Sequence, residues 1–69
     1  MSITKLAEKY ILEHPSVKDC LKNDIINFSS LSRKIASDLN LSKKKNFDAI
    51  LIACRRFQNK LKEDEELEK

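Results

Sequence analysis

Sixty-nine residues with no glycine, one proline and 36% charged side chains exclude a multidomain enzyme, a fold built on tight hairpins and a membrane-spanning chain. Residues 63–69 hold five of the 11 acids and one of the 14 bases, so the net +3 hides a body, residues 1–62, of 13 bases against six acids, or +7. Such a body attracts polyanions, and the acidic end is expected to screen it or compete for its surface; the plain alternative is that lysines solubilise a small helical protein.

Apolar spacing at three and four residues predicts a first helix from Ser2 to Glu13, with Ser2 as N-cap and Ile3, Leu6, Ala7, Tyr10 and Ile11 as its stripe. Leu12 falls outside that stripe. His14-Pro15 ends the helix, because the residue before proline is pushed out of the α region. Pro15 then suits the first turn of a second helix, Ser16 to Lys22, facing inward with Val17, Cys20 and Leu21. His14 reads as a capping or surface residue, since no acid or thiol stands at ligand spacing.

Asn23-Asp24 forms a turn that tolerates left-handed backbone, and Ile25 to Phe28 is expected as a buried linker. Ser29 is the expected N-cap of a third helix, Ser30 to Leu39, burying Leu31, Ile35, Ala36 and Leu39. Asn40 follows as a left-handed residue in place of glycine, and Leu41 returns to the core. A fourth helix, Asn46 to Leu61 with Asn46 as N-cap, buries Phe47, Ile50, Cys54, Phe57 and Leu61 and turns Asp48, Ala49, Ile52, Arg55, Arg56 and Asn59 outward. Cys20 and Cys54 lie on apolar faces and are expected as reduced, buried thiols.

The expected fold is therefore all-α: a four-helix compact domain over residues 1–62, with a helix-turn-helix-like third and fourth helix pair and a frayed acidic tail over 63–69. Ala36 lets the fourth helix approach, Asn40 turns the chain and Leu41 plugs the angle. The connection from Ser42 to Asn46 is longer than the usual three or four residues. On this reading Arg33, Lys34, Lys43, Lys44 and Lys45 contact DNA phosphates, while Arg55, Arg56 and Asn59 carry groups for base edges, late in the helix for that task. Ile52, apolar on a polar face, is a candidate interaction residue for a partner or a homodimer. RNA is a further polyanion open to the same charges, although one Tyr and three Phe, mostly on core faces, make a poor stacking platform.

The segments EHPSVKDCLKNDIINFSSLSRKIASDLNL and KNFDAILIACRRFQNKL resemble the N-terminal helical region of archaeal predicted regulators of amino-acid metabolism, in which a ligand-binding ACT domain follows. The likeness spans residues 3–62 and is most distinctive at His14-Pro15-Ser16, Ile26-Asn27-Phe28-Ser29, Asn46-Phe47-Asp48-Ala49 and Arg55-Arg56-Phe57. It implies a cytoplasmic, helix-turn-helix-like module of transcription regulation. No ACT domain is expected here, so amino-acid sensing does not carry over. With no Gly-rich phosphate loop, no nucleophile beside a base and no ligand cluster, the expectation is no catalytic residue, metal, cofactor or small-molecule ligand.

Overall fold

In the computed structural model, residues 2–67 are described, with side chains to residue 64. They form four helices and no strand: α1 (Ile3–Glu13), α2 (Pro15–Lys22), α3 (Phe28–Asp38) and α4 (Lys43–Leu67). The all-α four-helix expectation holds. α4 runs the length of the domain and packs on each of the other three helices, most extensively on α3.

Each helix begins where a side chain can take a free amide or where none is left over. The Lys5 amide donates to Ser2 Oγ at 3.2 Å, opening α1. Pro15 is the first residue of α2, where its missing N–H costs nothing. His14 closes α1: its Nδ1 donates to the Tyr10 carbonyl at 2.6 Å while its ring stacks on Tyr10 at 4.0 Å. It is a capping residue, as its isolation in the sequence implies.

α3 starts two residues before the expected Ser30. Asn27 is its N-cap, Oδ1 accepting from the Ser30 amide at 3.0 Å, so Ser29 lies inside the first turn. Asn caps as well as Ser, and the earlier start brings Phe28 onto the core as a partly buried residue. The linker before it is not buried throughout, since Ile25 is 71% exposed.

With no glycine in the chain, two Asx residues supply the left-handed turns. Asp24 (φ 59°) follows α2 and Asn40 (φ 56°) follows α3. Behind each, two amides fold back onto the helix. Ile25 N–H donates to the Cys20 carbonyl at 3.0 Å and Leu41 N–H to that of Ala36 at 2.8 Å, while Asp24 and Asn40 donate to Leu21 and Ser37. These are Schellman closures, which place Leu41 against Ala36 and so against the core.

The core is a layer between α4 and the other helices, with Ile11, Leu21, Ile35 and Ile50 fully enclosed. Small residues set the α3–α4 approach: Ser32, Ala36, Ala53 and Cys54 are all buried. The Ser32 hydroxyl is satisfied by donating to the Phe28 carbonyl at 2.7 Å. Burial pushes the Cys54 thiol up to about 11, the adjacent Ser32 offsetting part of this, so it sits as a neutral small hydrophobe. Cys20 is only half-buried, and both thiols are free.

Two long-range polar ties fasten the frame. Asp24 accepts from Lys62 Nζ at 2.7 and 2.8 Å and from Gln58 Nε2 at 2.8 Å, and Gln58 also donates to the Leu21 carbonyl. At the other end, the Tyr10 hydroxyl donates to Asp38 at 2.6 Å. That hydrogen bond, followed by Lys34 nearby, holds the Asp38 carboxyl below the usual carboxylate range despite the opposing effect of desolvation.

Candidate nucleic-acid interface

The α3–α4 corner is tighter than its sequence suggests. Only Leu39 to Ser42 separate the two helices, a turn of the length found in helix-turn-helix units. The Leu41 closure leaves Ser42 at the head of α4, where its Oγ accepts from the Lys45 amide at 3.3 Å and its carbonyl accepts from the Asn46 amide at 2.9 Å. Asn46 is therefore not the N-cap. The lysine run that reads as a loop is the first turn of α4.

This changes what the lysines present. Successive residues on a helix point about 100° apart, so Lys43, Lys44 and Lys45 fan around the end of α4 instead of sharing one face. All three are exposed, and α4 has no acid in its first turn. Lys34 lies one turn before the end of α3, on the same corner, and pairs with Asp38 at 3.4 Å.

Arg33 sits farther from the corner, its guanidinium donating to Ser30 Oγ at 3.4 Å. Arg55 leans the same way, its guanidinium carbon 5.6 Å from the centre of the Phe28 ring. That cation–π contact ties it to the start of α3. Arg56, Asn59 and Ile52 stand exposed on the outer face of α4. Arg55 and Arg56 flank opposite edges of that face, being adjacent in sequence. Arg33 and Arg55 are thus each directed to the first turn of α3, at Ser30 and Phe28, while Lys34 reaches toward the end of α3 at Asp38.

Among the described residues no cavity opens, no three His, Cys, Asp or Glu side chains gather as for a metal, and no helix is long and apolar enough to cross a membrane. The ion pairs among them are Lys34–Asp38 and Lys62–Asp24, so none involves the α4 lysine turn, Arg55 or Arg56.

The acidic segment is helical through Leu67, and residues 68 and 69 lie outside the described residues. From Lys45 to Glu63 a continuous helix rises about 27 Å, more than twice the Debye length of about 10 Å at 0.1 M salt. Glu63 therefore lies beyond the screening length from the lysine turn of its own chain.

Compared with protein-family models, with curated proteins and with solved structures, the chain matches none.

Proposed function

We propose that this chain is a small DNA-binding regulatory domain that holds duplex phosphates with the α3–α4 corner. The observation that carries the reading is the lysine turn: three exposed cations occupy the first turn of α4, which holds no acid, and the first acid of the helix is Asp48, one turn on. The positive end of the helix dipole opposes charge of that sign, and a helix arranged for stability alone favours Asp or Glu there. Phosphate supplies the missing counter-charge, and the free amides of the same turn add donors.

In this role Lys43, Lys44 and Lys45 contact phosphates, with Lys34 beside them and Arg33 on the neighbouring backbone. Arg56 and Asn59 are the groups with reach to base edges, while Arg55 braces Phe28 and contributes charge. The resemblance to the helical region of archaeal regulators supports a cytoplasmic role in transcription. The test is anisotropy titration of a labelled duplex across a salt series. Binding that is absent at low salt, or unaltered when Lys43, Lys44 and Lys45 become Gln, rejects the proposal. Tighter binding to RNA of the same length redirects it to that partner.

A further inference from the structure

The outer face of α4 has a second property. Lys45, Asp48, Ala49, Ile52, Arg55, Arg56, Asn59 and Glu63 recur at steps of three and four, and all are exposed. Ile52 stands in the middle of this stripe, 49% exposed, beside the small Ala49. The helix is also electrically bipolar, opening Lys43-Lys44-Lys45 and reaching Glu63-Asp64 toward its other end.

We propose that this face is an interface with a second copy of the chain, the two α4 helices packing antiparallel with Ile52 against Ile52 at the twofold axis. In that register Asp48 of one copy comes level with Arg56 of the other, one residue from Arg55, and does so twice by symmetry. Ala49 leaves room for these arginines. Lys45 comes level with Asn59 of the second copy, one turn from its Glu63, so each lysine turn adds to its own Asp48 an acid that lies about 27 Å away along its own helix. A parallel pair would instead set lysine turn on lysine turn. One isoleucine and an alanine make a thin apolar centre, so the contact belongs among small, salt-sensitive interfaces.

The dimer covers Arg56, Asn59 and Lys45, so duplex and second copy compete for this face; the experiment is sedimentation equilibrium from micromolar to millimolar protein without nucleic acid, whose outcome is separate from that of duplex binding. The wild-type chain associates to a dimer, more weakly as salt is raised. Ile52→Ser raises the dissociation constant about tenfold or more while leaving the far-ultraviolet dichroism unchanged. Two charge variants decide the orientation. Lys43→Glu/Lys44→Glu/Lys45→Glu and Glu63→Lys/Asp64→Lys each abolish self-association, since each sets like charge against like. Mixed together they recover it, because each end then meets its opposite. A wild-type chain that stays monomeric at low salt overturns the proposal, as does a mixture that fails to associate or an Ile52→Ser dimer of unchanged affinity.

Discussion

The lysine turn of α4 invites a perturbation with two readouts of opposite sign. Lys43→Gln/Lys44→Gln/Lys45→Gln removes three cations and changes little else, because Lys and Gln have nearly equal helix propensity and all three side chains are exposed. A cation in the first turn of a helix opposes the dipole by about 0.3–1 kcal/mol at low ionic strength. Three of them, fanned around the helix end and partly screened, amount to about 1–2 kcal/mol. In a domain of this size 1 kcal/mol moves the melting temperature by about 4–8 °C, so the triple variant melts about 4–16 °C higher in low salt. The gain shrinks as the Debye length falls toward about 3 Å in 1 M salt. Duplex binding moves the other way: removing one lysine–phosphate pairing flattens the plot of log K against log salt by about 0.9, or about two to three units for the triple variant. Thermal melts and anisotropy titrations on the same preparations make the comparison. A variant no more stable than the wild type at low salt shows that the lysines impose no cost, and their retention then gives no reason to invoke a phosphate partner.

Ile50 is fully enclosed between α4 and the rest of the core, so Ile50→Ala costs about 2–5 kcal/mol. That rivals the whole stability of a small domain, and dichroism of the variant is expected to show substantial loss of helix. Ile52→Ala, two residues along but exposed, changes the melt of dilute protein by no more than about 0.5 kcal/mol. At Asn40, with φ 56°, alanine costs about 1 kcal/mol in urea unfolding because it keeps the Cβ but loses the polar side chain that eases a left-handed backbone, while glycine, with no Cβ, is neutral or stabilising. Stability also falls at both extremes of pH. The Tyr10 hydrogen bond holds Asp38 below its ordinary 3.8, so the stability from Asp38 is present above that value and lost as pH falls through the folded one. Burial, then Asp38, pushes Tyr10 from 10.0 to about 12, so its contribution is intact below pH 10 and lost between pH 10 and 12. Urea midpoints measured across pH check both limbs, and Tyr10→Phe removes the tyrosine part of the alkaline loss.

The helix count, the breaks between helices and most of the core are properties of the sequence itself. Apolar spacing places Ala7, Tyr10, Ile11, Ile35, Ile50 and Phe57 inside, where the structure has them. Pro15 and the Asx residues Asp24 and Asn40 mark the turns because their backbone preferences are local. Helix starts are less legible, since neighbouring side chains compete to cap. Asn27 prevails over Ser29 because it carries Phe28 to the core, and Ser42 over Asn46 because the turn that seats Leu41 leaves no slack before α4. Burial of Ala53 is equally hidden, because an alanine off the main stripe marks a close helix contact only once the neighbour is in place.

For the candidate interface the division is sharper. The identities of the basic residues and their exposure follow from charge and periodicity. Whether lysines form a loop or a helical turn, which arginine is tied to an aromatic ring, and whether Asp38 and Asp24 are spent on Tyr10 and Lys62 depend on partners up to 38 residues away. A hydrophobic pattern records which face of a helix turns inward, because burial repeats with the helix. It does not record what a particular side chain meets there, because that depends on how the other three helices are stacked. The packing that seats Leu41, with the Ser42 cap beside it, gave α4 its lysine head, and a continuous helix keeps that head about 27 Å from Glu63.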